Sequence, residues 1–243
     1  MSTSETMTDT FAPLARHEFA VLMTYRASGE AVPTTVWFAN GDDGTISITT
    51  RRTAGKIKRV RNDGCVTLAP SSGWRDTAYL VLTGAGVAAT VAPALVAGLA
   101  VRFPNVLTIP TPNTARVISP WTLARLPGHH VVESYFDAAI LPRPPLGLVL
   151  VAPCGFNSLN KLAGGIADTL ALSVVAEAIG RGTPVVVAIA CNAALWAHPR
   201  APESATTLRR WGWSVLDPVR DGEHVGLAPV AAILAAVDTQ LGG

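Results

Sequence analysis

The sequence has three cysteines, few charges and no long apolar run, and each shortage removes a class of protein. Cys65, Cys154 and Cys191 are odd in number and far apart. They form neither a disulfide framework nor a CxxC metal pair, so no metal site is expected and a reducing cytoplasm is the simplest compartment. No apolar stretch approaches the roughly 18 residues needed to cross a bilayer. The start, MSTSETMTDT, is polar and acidic, without the basic opening or apolar centre of a signal peptide. Charged residues make up 15% of the chain and leave a net charge of +2, too little to point to nucleic acid. With 243 residues, 49% of them hydrophobic, there is enough chain for one large domain or a domain with an annex. The expectation is a soluble, cytoplasmic protein.

Residues 1–10 read as a disordered start, and residues 11–75 as a small β-rich segment. Four strands are expected in it: Phe19–Tyr25, Thr34–Ala39, Thr45–Thr50 and Cys65–Ala69. Gly29, the NGDDG turn and Asp63–Gly64 punctuate them as hairpin signals. Between the last two lies TAGKIKRVRN, a short helix that, with Arg51 and Arg52 just before it, carries a run of basic residues without an acidic one. A solvated helix face accounts for such a run. So does a phosphate-binding edge, with Thr50 and Lys56 converging on one anion.

From about Thr77 the pattern changes to apolar strands alternating with helices. Strands are expected at Ala78–Leu82, Val106–Ile109, Leu146–Ala152, Thr183–Ala190 and Gly212–Leu216, with a last helix over Ala228–Leu241. This pattern predicts an α/β fold with a doubly wound parallel sheet over residues 76–243. Ligands collect at the carboxyl ends of such strands. The most suggestive of these ends follows Val149–Ala152, where Pro153–Cys154–Gly155 turns the chain into a long helix from about Asn157. A helix start at a strand end presents unpaired N–H groups to an anion or cofactor, and Asn157 and Ser158 add side-chain donors there. The TGAG turn (Thr83–Gly86) is less telling. It lacks the full G-x-G-x-x-G spacing, and no acidic residue stands about 20 positions on, which disfavours a nicotinamide dehydrogenase. A tight strand–helix turn and a phosphate cradle both fit it.

Two resemblances sharpen these readings. LMTYRASGEAVPTTVWFA and ISITTRRTAGKIKRVRNDGCVTLAP resemble the split-barrel fold of the pyridoxamine-phosphate-oxidase superfamily, especially its deazaflavin-dependent branch. That implies a partial barrel in which Thr50 and Lys56 hold a coenzyme phosphate, with a deazaflavin as the alternative coenzyme. The segment is about half the length of a full domain of that kind, so it is expected to act as an annex. LTGAGVAATVAPALV, TPNTARVISPWTLARLPGH, VAPCGFNSLNKLAGGIADTLAL and CNAALWAHPR, in this order, resemble the homo-oligomeric flavin-containing cysteine decarboxylases, which include phosphopantothenoylcysteine decarboxylase.

The second resemblance implies a Rossmann-like flavoprotein domain that binds FMN, acts on a small molecule, and assembles as a homo-oligomer, with a trimer the expected unit. It places Thr83, Gly84, Gly86, Ser119, Pro153, Asn157, Ser158 and Asp168 around the cofactor. Asn192 is expected to hold a substrate carboxylate, with His198 and Cys191 as further candidates for reactivity. The chain departs from the family at three points. The family histidine would fall near Ala139, where none stands, and His129 and His130 lie ten positions upstream. The P-A-M-N loop reads Ile189–Ala190–Cys191–Asn192. The loop after Pro218, RDGEHVGLAP, has no cysteine. The expected function is therefore an FMN-dependent enzyme, a decarboxylase-like lyase or an oxidoreductase acting on a small carboxylate-containing metabolite. The alternative is a non-catalytic flavin-binding or regulatory protein.

Overall fold

The computed structural model describes residues 19–29, 31–40, 45–48, 54–62, 64–71, 76–140, 147–222 and 224–241. The chain divides into two compact units, Met1–Gly73 and Trp74–Gly243.

In the first unit, β1 (Phe19–Tyr25) is the centre of an antiparallel sheet, flanked by β2 (Ala31–Trp37) and β5 (Thr67–Ser71). The first strand stands where the sequence predicts it. The short strands β3 (Ala39–Asn40) and β4 (Ile46–Ser47) form a separate pair, much shorter than the strand expected over Thr45–Thr50. Thr50 itself lies outside the described residues. A small core of Ala20, Leu22 and Val36 holds the sheet. Helix α1 (Gly55–Asn62) buries none of its residues and is tied to the sheet by the Arg59 guanidinium, which donates to the Thr24 hydroxyl at 2.7 Å.

The second unit is built on a six-stranded, wholly parallel sheet. Its strands are β6 (Thr77–Leu82), β7 (Asn105–Pro110), β8 (His130–Val131), β9 (Leu148–Gly155), β10 (Val185–Ala190) and β11 (Ser214–Leu216). They lie in the order β11-β10-β9-β6-β7-β8. The chain thus runs outward from β6 through β7 to β8, crosses back to β9, and continues the other way. The switch point falls between β6 and β9. Such a sheet needs both faces covered, and the strands alternate accordingly. In β6, β9 and β10 the residues Tyr79, Val81, Val149, Val151, Val187 and Ile189 feed one core. Their neighbours Ala78, Leu80, Leu150, Ala152, Val186 and Ala188 feed the other. Each fully buried Val, Leu or Ile contributes about 1.5–3 kcal/mol of transfer free energy, so this double-sided burial fixes the strand register.

Helices α2 (Ala88–Ala100) and α8 (Val230–Leu241) cover the second core. They approach so closely that a Cβ at Gly98 would collide with the Leu234 side chain. The short α3 (Pro120–Ala124) precedes β8. The first core is covered by α4 (Phe156–Ala163), α5 (Leu170–Arg181) and α7 (Arg200–Arg210), with α6 (Ala193–Ala197) leading into α7.

The single long helix expected from Asn157 is in fact α4 and α5, separated by a break. Gly165 takes φ +69°, the left-handed region, and the break is hydrogen-bonded as a Schellman cap. The Ile166 N–H donates to the Lys161 carbonyl and the Gly165 N–H to the Leu162 carbonyl. After β11, the segment read as a loop forms a hairpin, β12 (Val219–Asp221) and β13 (His224–Gly226). Among the described residues no helix is long and apolar enough to cross a membrane.

Candidate functional site: a cleft at the switch point

The carboxyl ends of β6, β7, β9 and β10 open into one cleft of about 1030 Å³. Its floor is set by Thr83. This side chain is buried, and its hydroxyl donates to the Pro153 carbonyl at 2.7 Å and accepts from the Gly155 N–H at 3.0 Å. One hydroxyl therefore joins the ends of the two strands that flank the switch point. Beside it, Gly84 lies against the turn after β7. A Cβ there would stand 2.8 Å from both the Cβ and the carbonyl oxygen of Asn113. Only glycine lets these two loops meet. Gly86 faces open space in the same turn and lines the cleft.

Across the switch point, α4 starts with no side-chain cap at Gly155. Its first N–H groups have no intrahelical partner, and Gly155, Phe156, Asn157 and Ser158 all line the cleft. Asn192 lines it as well. Its Oδ1 accepts from the Leu195 N–H at 2.9 Å and so caps α6. The return leg of the β12–β13 hairpin, from Val225 to Val230, forms the opposite wall.

The structure thus gathers Thr83, Gly84, Gly86, Asn157, Ser158, Cys191 and Asn192. Other sequence-predicted residues lie elsewhere. Pro153 reaches the site only through its carbonyl, held by Thr83. The Ser119 hydroxyl accepts from the Thr122 N–H at 3.0 Å, capping α3, and does not line the cleft. His198 ends α6, where its Nδ1 accepts from the Arg200 N–H at 3.1 Å and its ring packs edge-on against Phe156. It does not line the cleft either. Asp168 pairs with Lys161 at 2.5 Å and faces a neighbouring cavity instead. Lys56 belongs to the first unit, where partial burial and the nearby Arg59 push its pKa down.

The two strand-end cysteines also differ. Cys191 lines the cleft, while Cys154 is buried in the core behind it. Burial raises both thiol pKa values, and that of Cys154 is raised further by its neighbour Cys191, because two thiolates side by side would repel. Both are held as thiols at neutral pH, a poor state for nucleophilic attack. His129 and His130 are likewise committed elsewhere. His129 contacts the Thr108 hydroxyl at 2.6 Å and the Leu123 carbonyl at 3.0 Å, and His130 contacts Asp137 at 2.8 Å. Among the described residues no group of three or more potential metal ligands occurs.

Three features of the cleft are not apparent from the motifs. Lys161 is its only charged lining residue among those described. It stands four residues after Asn157 on α4, a spacing that alone puts both on one helix face. Asn113 is read only as part of a turn. The 225–230 wall is brought in over long range and leaves no local signal in the sequence.

A parallel, doubly wound sheet with an amide-rich cleft at its switch point defines a nucleotide- or cofactor-binding α/β protein. The chain belongs to the Flavoprotein family, which matches residues 71–242. The match leaves out most of the first unit, so it lends no support to a deazaflavin site there. The chain is 31% identical over 150 residues to the coenzyme A biosynthesis bifunctional protein CoaBC of Bacillus subtilis (strain 168). That alignment covers 57% of this chain and 35% of the relative, and the chain spans about a third of the length of the first such relatives. Among solved structures it is similar to the FMN-binding protein AtHal3, at 18% identity and a TM-score of 0.58, covering 68% of this chain and 96% of that one. It is also similar to the FMN-dependent cysteine decarboxylase SpaF, at 24% identity and a TM-score of 0.56, covering 68% and 97%. At these identities the structural likeness speaks for the fold.

Proposed function

We propose that the cleft binds FMN and that the protein is a flavin-dependent, decarboxylase-related enzyme acting on a small carboxylate-containing metabolite. The carrying observation is the cleft itself, whose lining suits the group. Its volume is at the upper end of the roughly 300–1,000 Å³ of ordinary ligand pockets. Val87, Val91, Leu172, Leu195, Leu227 and Val230 offer apolar surface for a flat ring system. The uncapped start of α4, with Asn157 and Ser158, supplies donors for its polar edge or phosphate. When bound, FMN supplies two-electron redox chemistry. In this reading the chain's own part is to orient the partners, with Asn192 holding a substrate carboxylate and Lys161, which lines the same cleft and is paired with Asp168, the nearest positive charge available to it.

A non-catalytic flavin-binding role is the second reading. It is favoured by one observation, that no described histidine lines the cleft. The two separate on substrate-dependent bleaching of FMN-loaded protein by thiol-bearing carboxylates. The enzyme reading expects bleaching that Asn192→Ala abolishes while FMN stays bound. If no such metabolite bleaches the flavin, the non-catalytic reading stands. The same proposal includes a homo-oligomer, with a trimer the expected unit. Trp121 and Phe136, 69% and 94% exposed, are large apolar groups that self-association would cover. A monomeric mass in solution would remove that part. The first unit acts as an annex to this enzyme, and Lys56→Glu is expected to weaken cofactor binding or oligomer formation; unchanged flavin occupancy and mass would leave α1 a solvated helix.

A further inference from the structure

Two elements that frame the cleft are tied together behind it. On α4, Phe156 and Asn160 stand four residues apart and share one face, while Asn157 and Lys161 share the next. Asn157 and Lys161 line the cleft, whereas Asn160 does not and turns to α7 instead. There the Ser204 hydroxyl, fully buried, donates to the Asn160 Oδ1 at 2.8 Å. Its neighbours on α7, Ala201, Ala205 and Leu208, belong to the first core. A hydroxyl buried among apolar groups is tolerated only while its partner stays within reach, so this bond holds α4 to one position along α7.

The far end of the tie reaches Asn192. The Leu195 and Trp196 N–H groups donate to the Asn192 Oδ1 and carbonyl, each at 2.9 Å. Only His198 and Pro199 separate α6 from α7, and the joint is bonded through His198. Its Nδ1 accepts from the Arg200 N–H at 3.1 Å, and its carbonyl from the Ala201 N–H at 2.9 Å. The His198 ring also meets the Phe156 ring edge-on, with centroids 5.4 Å apart. Asn192 and Lys161 thus stand on two elements whose spacing is held by side chains outside the cleft. The start of α4 is also held ready for a ligand. Ser158 lines the cleft and is only 8% exposed, and its hydroxyl makes no hydrogen bond to another described residue.

We propose that Ser204 and Asn160 are positioning residues, whose bond sets where Lys161 stands relative to Asn192 and so sustains the cleft's preference for a carboxylate. This rests on the reading of the cleft as the carboxylate site. Neither residue touches the substrate, and the two act through the helices that carry Lys161 and Asn192.

The test uses 3-mercaptopropionate and 1-propanethiol, probes of similar size that differ in charge. Their affinities are read by NMR titration on FMN-loaded protein and on protein without added FMN. The wild type is expected to favour 3-mercaptopropionate by about tenfold or more, as a hydrogen-bonded charge contact implies. Ser204→Ala and Asn160→Leu should each reduce that preference to about threefold or less, with 1-propanethiol affinity unchanged. The double variant should lose no more than either single one, because one bond is broken in all three. Should Ser204→Ala fail to fold, Asn160→Leu reads the same bond from its less buried partner. A lower melting temperature with the preference intact would overturn the proposal, as would losses that multiply in the double variant. Asn192→Ala separates the two layers. If it removes the preference while Ser204→Ala keeps it, the carboxylate reading stands and the positioning role does not. A wild type with no preference removes both. Failure of FMN to bind would sink the flavin reading alone, because the preference is read independently on protein without it.

Discussion

The hydroxyl of Thr83 joins β6 to β9 at the sheet's switch point, donating to the Pro153 carbonyl at 2.7 Å and accepting from the Gly155 N–H at 3.0 Å. Removing it strands a buried acceptor and a donor at once. Thr83→Val is expected to lower stability by about 1–3 kcal/mol, read as a lower melting temperature. Thr83→Ser should recover most of the loss. Equal stability of the valine and wild-type proteins would show that the hydroxyl is not what joins the strands.

Gly84 presents a different kind of constraint. Its alanine variant places a methyl group 2.8 Å from Asn113, so the loops after β6 and β7 must part. Overpacking of this kind costs about 1–3 kcal/mol. Because the strain falls at the mouth of the cleft, FMN affinity should drop by about tenfold or more. Isothermal titration measures it. Gly86→Ala, with nothing within 4 Å of the added carbon, should fold with wild-type stability.

The thiols should separate by reactivity. Cys65 is exposed, whereas Cys154 and Cys191 are buried with raised pKa values. A thiol reagent at pH 7 should modify Cys65 quickly in the folded protein. The other two should wait for denaturant. Rapid labelling of Cys191 would mean that its thiol is more exposed or more acidic than its surroundings imply.

His129 should make the second unit acid-sensitive. Burial lowers its pKa from the ordinary 6.5, a shift opposed by the bond to the Leu123 carbonyl and aided by His130. The unfolded chain therefore takes up this proton before the folded one does. Its contribution is fully present above pH 6.5 and is lost as pH falls from there through the lowered folded value. His129→Gln should flatten the stability profile in that window. Thermal melts from pH 5 to 7.5 decide it, and an unchanged slope would assign the acid sensitivity to another group.

The layout of the second unit is largely legible in the sequence. Continuous apolar runs such as Leu148–Ala152 and Val185–Ala190 have one stable home, the middle of a parallel sheet covered on both faces. The turn chemistry of Asn157, Ser158 and Asn192 is legible too, because each sits where a strand end meets a helix start. The break after Ala163 was hidden by continuing apolar periodicity, although Gly164–Gly165 is the local cause. Motif position alone misplaces Ser119 and His198, since polar residues beside short helices serve as well for capping as for binding. Lys161 had a usable spacing signal. The 225–230 wall had none, because it depends on where α8 packs against α2.

The central claim is that the cleft between the ends of β6 and β9 holds FMN. The most direct measurement is the absorption spectrum of the purified protein, with any chromophore released and identified by mass spectrometry. The account predicts a flavin spectrum, a released mass equal to FMN, and loss of the chromophore in Gly84→Val with the fold retained. Colourless protein that also fails to take up added FMN would contradict it.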